Sequence, residues 1–286
     1  MRLLVLGATG LLGHAVFETL NQSKDFDVIG TVRSEDQKSA FDISVQAQLL
    51  GGIDVANEAI LTEIFERVRP DQVINCIGYT KHQPDDSTAY MALNSVLPHR
   101  LLDLSNQFNS RLIHISTDCV FSGKRGNYLE SDITDADDLY GKSKILGEIF
   151  DSNSITLRTS IIGHELLTNY SLLNWFLAQG DDCEGYRNVI FSGLPTVIFA
   201  EIIRDLVIPN AQLSGLYHVS ASPINKFDLL TLIAKIYKKK ILIKANDEIR
   251  IDRSLNSKKF KDATGFNSPP WENLINYMYK SYQKSV

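Results

Sequence analysis

Gly7-Ala8-Thr9-Gly10-Leu11-Leu12-Gly13 follows the short apolar run at residues 3–6 and leads into a helical pattern over residues 11–20. That placement, strand then glycines then helix, decides the fold. The first glycine permits a tight turn, the second lets backbone approach a pyrophosphate, and the third lets helix and strand pack closely. Free N–H groups and the positive dipole at the helix start complete an anion site. The spacing is GxxGxxG, and Gly7, Thr9, Gly10, Leu11, Leu12 and Gly13 are the expected phosphate-binding turn. The bland alternative for the same residues is a strand–helix turn with no ligand.

Alternation continues outward from this turn. Strand signals fall at residues 28–32, 72–77, 111–116 and 155–158, and helix signals at 58–68, 89–106 and 140–150. In the first of these helices Ile60, Ile64, Phe65 and Val68 share one face. Strands separated by helices of this length predict a parallel sheet covered on both sides. The expected class is α/β, a Rossmann-type doubly wound parallel sheet. Beyond Ile162 the alternation loosens into helices at 172–178, 198–206 and 227–237, strands at 215–219 and 241–244, and a last helix opened by Pro269, Pro270 and Trp271. This predicts a dinucleotide-binding domain over residues 1–162 with later returns at roughly 188–210. A smaller C-terminal α/β substrate-binding lobe takes most of residues 163–286. Residues 238–240, three lysines at a helix end, read as solvated surface that suits the helix dipole.

Composition narrows the class. The 286 residues are 44% hydrophobic and 22% charged, with a net charge of −5. These values exclude a largely disordered chain and argue against a general nucleic-acid binder. Cys76, Cys119 and Cys183 show no CxxC spacing and fit reduced thiols in a cytoplasmic protein. Cys76 and Cys119 read as small core residues. Residues 1–6 are too short an apolar run for a secretory signal, and no stretch approaches the roughly 18 apolar residues of a membrane helix.

The second strand ends without the Asp or Glu that would hold a ribose 2′-hydroxyl, and Arg33 follows instead. An Arg fork suits a 2′-phosphate, which favours NADPH and leaves NADH open. Asp42 and Ile43 are candidates for the adenine end. Cys76, Ile77 and Gly78 close a central strand beside the adenine ribose and pyrophosphate. Tyr140-Gly141-Lys142-Ser143-Lys144 is a YxxxK whose i, i+4 spacing puts Tyr140 and Lys144 on one helix face. A neighbouring ammonium is expected to lower the phenol's pKa from about 10 and fit it for proton transfer. Upstream, Thr117 ends a strand, where its hydroxyl can hold a reacting oxygen.

Turn, strand-end hydroxyl and YxxxK, in this order, resemble the extended short-chain dehydrogenase/reductase superfamily. Residues 114–123, 75–80, 140–147, 157–160 and 193–196 resemble, more closely, the dTDP-4-dehydrorhamnose reductase-like family of sugar-nucleotide-binding proteins. The resemblance spans almost the whole chain. It implies that Tyr140 is the proton donor, that Lys144 positions it and binds the nicotinamide ribose, and that Thr117 is the active-site hydroxyl. Thr117 and Asp118 would also touch the sugar. The implied reaction is NADPH-dependent reduction of a nucleotide-linked 4-keto-6-deoxyhexose. Lys81, His82, Arg187 and Arg253 are further candidates for the substrate's sugar or diphosphate. Asn94 is expected to hold backbone or water behind Tyr140, and His114 reads as a satisfied core histidine. The chain departs from the family's pattern at Cys119, at residues 79–84, at Ile161 and Ile162, and at Arg253-Ser254, all where a sugar would sit. No histidine shows metal-ligand spacing, and no metal is expected. The partners implied are a nucleotide sugar and a second copy of the chain in a homodimer, with no nucleic acid and no membrane. Epimerisation, reduction at another carbon, and a non-catalytic cofactor-holding subunit stay open beside this reading.

Overall fold

The computed structural model describes residues 1–285. Its centre is a seven-stranded parallel sheet. Six strands come from residues 2–159: β1 (Arg2–Leu6), β2 (Asp27–Thr31), β3 (Leu49–Leu50), β4 (Gln72–Asn75), β5 (Arg111–Thr117) and β6 (Ser154–Thr159). The order is β3-β2-β1-β4-β5-β6, and Gly215–His218 adds an edge strand beside β6. Leu3, Leu4, Val5 and Leu6 are all fully buried, as a strand covered on both faces must be. The order reverses between β1 and β4, which opens a crevice at the strands' carboxyl ends.

Two layers of helices cover the sheet. On one side Ala15, Val16, Phe17 and Leu20 of the helix Gly13–Asn21 pack with Phe199, Ala200 and Ile203. On the other, Leu61, Ile64, Phe65 and Val68 of the helix Glu58–Val68 join Leu97, Leu101 and Leu104 of the helix Leu97–Gln107. A separate core holds Leu173, Phe176, Leu229, Ile233, Ile275 and Met278, under short strands at Asp182–Tyr186, Val189–Phe191 and Leu242–Asn246. The chain leaves this second core after Phe191 and stays on the main sheet through the helix Thr196–Ile202 and the edge strand Gly215–His218.

Several expectations shift. The helix foreseen at 140–150 spans only Leu139–Leu146, because Gly147 lies against the Asn94 backbone and leaves no room to continue. The run expected at 89–106 begins at Ser87 and contains a π-helical segment, Tyr90–Val96, before Leu97–Gln107. Lys239 is not merely solvated: its ammonium donates to the carbonyls of Leu177 and Gln179 at 3.0 and 2.7 Å and ties two helices together. His114 is only half satisfied. It is fully buried, Nδ1 meets the Asn75 amide at 3.2 Å, and Nε2 has no partner. The three cysteines are free thiols, with Cys76 and Cys119 partly buried.

His218, on the edge strand, is fully buried between two fixed partners. Its Nδ1 is 3.0 Å from the Tyr128 carbonyl and its Nε2 is 3.2 Å from an Arg158 Nη. Burial, with Arg158 nearby, pulls its pKa down to about 3. An unfolded histidine takes up a proton below about pH 6.5, whereas this one stays neutral until about pH 3. Stability is therefore lost as pH falls through that window. Between pH 7 and 4 the expected loss is on the order of 3 kcal/mol. Urea unfolding at the two pH values checks it: His218→Gln, which cannot take up the proton, should lose less, and an equal loss would refute the assignment.

Candidate active site

The glycine turn sits at the end of β1 as the spacing demands. Gly7 has φ +80°, a left-handed conformation that favours glycine. A Cβ at Gly13 would overlap the Gly7 carbonyl, so the helix can approach the turn only because that position is bare. Gly10 is exposed, and a Cβ there would meet only the Gly7 oxygen, at 3.3 Å, so its backbone stays open. The Gly7 N–H donates to Thr31 Oγ1 at 3.2 Å and the Ala8 N–H to the Thr31 carbonyl at 2.9 Å, which pins the turn to β2. An open, bare-backbone turn at a helix start fits a dinucleotide pyrophosphate.

Arg33 stands exposed just past β2, with its backbone N–H held by Gln37 Oε1 at 3.0 Å. Asp42 caps the short helix Ile43–Gln46, accepting from the Ser44 N–H and hydroxyl at 2.9 and 2.6 Å. Those bonds hold its carboxyl below the usual range. Ile43 beside it is 80% exposed, an apolar surface available to a base. Cys76, Ile77 and Gly78 follow β4, with the Cys76 N–H on the Leu6 carbonyl at 3.2 Å and the Ile77 N–H on Asn75 Oδ1 at 3.1 Å.

On the same sheet edge, β5 ends at Thr117. Its Oγ1 accepts from the Cys119 N–H at 3.1 Å and donates to the buried Asp118 carboxylate at 3.2 Å. The Thr117 hydroxyl also lies beside the half-buried Tyr140 phenol, close enough to favour its charged form. Tyr140 is the second residue of the helix Leu139–Leu146, whose N-cap is Asp138, accepting from the Gly141 N–H at 2.7 Å. A Cβ at Gly141 would strike the Cys119 carbonyl, so this helix, too, needs a glycine to lie against the turn after β5. Lys144, one turn on, is 4% exposed.

The electrostatics correct one expectation. Burial, and not the Lys144 ammonium, dominates the Tyr140 pKa. That ammonium donates to the Ile115 carbonyl at 2.8 Å, and burial, opposed by Glu148, pulls its own pKa down to about 8. Burial pushes the Tyr140 phenol well above its usual value, with Cys119, Asp118 and Asp138 opposing charge and the neighbouring Thr117 hydroxyl favouring it. The phenol is protonated at neutral pH, the form a proton donor requires.

Behind the site lies Asn94, as anticipated. Its Oδ1 accepts from the Tyr79 N–H at 2.8 Å, and its Nδ2 donates to the Tyr79 carbonyl at 2.9 Å and to Ser143 Oγ at 3.0 Å. One side chain thus fixes the loop leaving β4 to the helix of Tyr140 and Lys144. The π segment that carries Asn94 is one of the segments where such extra turns gather at functional positions.

The substrate candidates divide. Lys81 reaches the site, with Nζ 2.5 Å from Asp138 and 5.5 Å from the Tyr140 ring centre. Arg253 donates from Nε to the Phe121 carbonyl at 2.7 Å and lies within electrostatic reach of Asp118. His82 is exposed and joins no other candidate. Arg187 is drawn to the surface by Asp247 at 3.5 Å and by the Phe227 ring at 5.1 Å. Two residues were missed. Asp138 could have been found from its N-cap spacing ahead of Gly141. Lys226 falls just outside the helix expected at 227–237 and carries no motif, yet it is half-buried, facing Asp118, Cys119 and Arg253; burial pulls its pKa down. Among the described residues, no group of three or more His, Cys, Asp or Glu side chains is placed to hold a metal ion, and no helix is long and apolar enough to cross a membrane.

A Rossmann-type sheet with a glycine turn, and a Thr-Tyr-Lys set at the end of β5, defines the extended short-chain dehydrogenase/reductase class. The chain belongs within it to the RmlD substrate binding domain family, whose model matches residues 1–284. It is 28% identical over 235 residues to a dTDP-4-dehydrorhamnose reductase of Aggregatibacter actinomycetemcomitans, covering 78% of this chain and 74% of that protein. It is also 33% identical over 152 residues to methionine adenosyltransferase 2 subunit beta of Danio rerio, covering 51% of this chain and 42% of that one. Among solved structures, a hypothetical dTDP-4-dehydrorhamnose reductase from Sulfolobus tokodaii superposes with a TM-score of 0.78 at 25% identity, covering 95% and 98% of the two chains. The Bacillus anthracis dTDP-4-dehydrorhamnose reductase, solved in complex with NADP, shares the fold with a TM-score of 0.79 at 22% identity, covering 98% and 99%.

Proposed function

We propose that this protein is an NADPH-dependent reductase of a nucleotide-linked 4-keto-6-deoxyhexose, with Tyr140 as proton donor. The observation that carries the reading is the approach of the Thr117 hydroxyl to the Tyr140 phenol at the end of the sheet that also bears the glycine turn. Likeness to named dTDP-4-dehydrorhamnose reductases supports the substrate class. NADPH, when bound, supplies the hydride that reduces the ketone carbon at C4. Gly7, Thr9, Gly10, Leu11, Leu12 and Gly13 hold the pyrophosphate, Cys76, Ile77 and Gly78 flank the adjoining ribose, and Arg33 takes the 2′-phosphate. Asp42 and Ile43 border the adenine.

With substrate bound, the Thr117 hydroxyl turns its one proton from Asp118 to the ketone oxygen and holds it beside Tyr140. As charge develops on that oxygen, the Tyr140 proton passes to it. The products are an alcohol and a phenolate, and the phenolate regains its proton from solvent. The half-buried phenol has few conformations to choose from, so orientation supplies a share of the rate. Arg253 and Asp118 face the sugar nucleotide, the guanidinium suited to phosphate oxygens and the carboxylate to sugar hydroxyls. Such an enzyme works in the cytoplasm, where its cofactor and substrate are held.

The test is NADPH oxidation against a panel of nucleotide keto-sugars; tight NADPH binding with no turnover on any of them overturns the reading. That outcome favours a second one, a non-catalytic cofactor-holding subunit, which rests on the likeness to the methionine adenosyltransferase beta subunits. The cofactor has its own check. Arg33→Ala is expected to weaken NADPH about tenfold or more and NADH about twofold or less, as loss of a charge-assisted phosphate contact should. Fluorescence titration with both nucleotides reads this, and equal losses would remove Arg33 from the 2′-phosphate.

A further inference from the structure

We infer that Lys81 is a positioning residue for the proton donor: its ammonium, paired with Asp138 and set over the face of Tyr140, shields the phenol from that carboxylate as the proton leaves. The inference rests on the reductase reading above and reassigns Lys81 away from the substrate's diphosphate.

The groups around Tyr140 come from four places. Asp138 caps its own helix, and Lys144 lies one turn further on. Asp118 and Cys119 face it from the turn after β5, with Arg253 and Lys226 behind Asp118. Tyr90 of the π segment packs edge-on, with ring centres 6.3 Å apart. Lys81 arrives from the loop after β4. Charge on the phenol is opposed by Asp118, Cys119 and Asp138. Lys144, the cation one turn along the same helix, donates to the Ile115 carbonyl at 2.8 Å.

Lys81 sits differently. Its Nζ lies 2.5 Å from Asp138 Oδ2 and 5.5 Å from the Tyr140 ring centre. A cation over an aromatic face is held by the ring's quadrupole. A carboxylate that already has its counter-charge repels a developing phenolate far less than a bare one. The loop that presents Lys81 is itself fixed. The Thr80 N–H donates to Gln83 Oε1 at 2.9 Å, the Tyr79 hydroxyl to the Pro84 carbonyl at 2.7 Å, and Asn94 clamps the Tyr79 backbone. The loop is thus fixed by contacts of its own, and the ammonium by Asp138 and the Tyr140 ring.

The experiment compares Lys81→Met, Lys81→Arg, Asp138→Asn and Lys81→Met with Asp138→Asn, as NADPH-loaded enzymes on the best keto-sugar of the panel, from pH 6 to 10. Asn keeps the N-cap while removing its charge. Lys81→Met is expected to lower kcat about tenfold at pH 7 with KM unchanged, and to move the alkaline limb to higher pH, because a weaker acid gives up its proton more slowly. Lys81→Arg restores most of the rate. Asp138→Asn in the Lys81→Met background also restores it, since the carboxylate left bare is gone. A rise in KM at unchanged kcat would make Lys81 a substrate ligand and overturn the inference, as would a rate unaffected by Lys81→Met. If the wild type reduces nothing on the panel, the reductase reading falls, and nuclear magnetic resonance decides on Lys81 alone. In NADP-saturated protein labelled with carbon-13 at the tyrosine ring carbon bearing oxygen, Lys81→Met should shift the Tyr140 signal, assigned by Tyr140→Phe. An unmoved signal overturns the inference.

Discussion

Tyr140→Phe is expected to lower kcat for ketone reduction roughly 10³-fold while leaving NADPH affinity within about threefold. The substitution removes one oxygen and its proton from a ring held against Tyr90 and beneath Lys81. The ring keeps its place, so the loss falls on the chemical step and not on binding. The Thr117 hydroxyl keeps both of its partners, the Cys119 N–H and the Asp118 carboxylate, which hold the turn after β5. Stopped-flow NADPH oxidation at saturating keto-sugar measures the effect. Equal turnover in wild type and variant would mean that another group donates the proton, and the roles assigned to Lys144 and Lys81 would fall with it.

Glu148→Gln is expected to destabilise the fold by about 3–5 kcal/mol, a large part of the roughly 5–15 kcal/mol that holds a typical domain together. Glu148 and Arg158 are 2% and 3% exposed and meet through two bonds, Nε to Oε1 at 2.7 Å and Nη2 to Oε2 at 2.6 Å. The Ser116 hydroxyl donates to the same carboxylate at 2.7 Å, and Arg158 also touches His218 and lies 5.1 Å from the Phe121 ring centre. Removing the negative charge strands a guanidinium inside the protein. Urea denaturation at pH 7 reads the loss, and a change under about 1 kcal/mol would refute it. The double variant Glu148→Leu with Arg158→Met should recover part of it, because an apolar pair carries no stranded charge.

What could be read ahead of the structure follows from range. The glycine turn, the helix at Glu58–Val68 and the helix at Leu172–Ala178 are governed by neighbours a few residues away, and their spacing shows in the residues themselves. So does the pairing of Tyr140 and Lys144 on one helix. The short strands at Leu49–Leu50, Ile224–Asn225 and Ile251–Asp252 were not legible, since two residues carry no period. Nor were the π segments, which rest on the fit of one helix against another. The Glu148–Arg158–His218 chain and the approach of Lys81 to Asp138 join residues far apart along the polypeptide. No local pattern distinguishes Arg158 in the core from Arg187 on the surface. The Lys144 ammonium was assigned to the phenol from spacing alone, whereas a backbone carbonyl at Ile115, contributed by another element, claims it.

The edge strand Gly215–His218 has a consequence for synthesis. β6 ends at Thr159, and its open side finds its neighbour only in Gly215–His218. At about 5–20 residues per second, the ribosome needs roughly 3–11 s to deliver that neighbour. During this interval a nascent β6 presents unpaired amides and carbonyls to any other extended chain nearby. A fragment truncated before Gly215 would keep that edge permanently open, which makes such fragments poor candidates for independent expression.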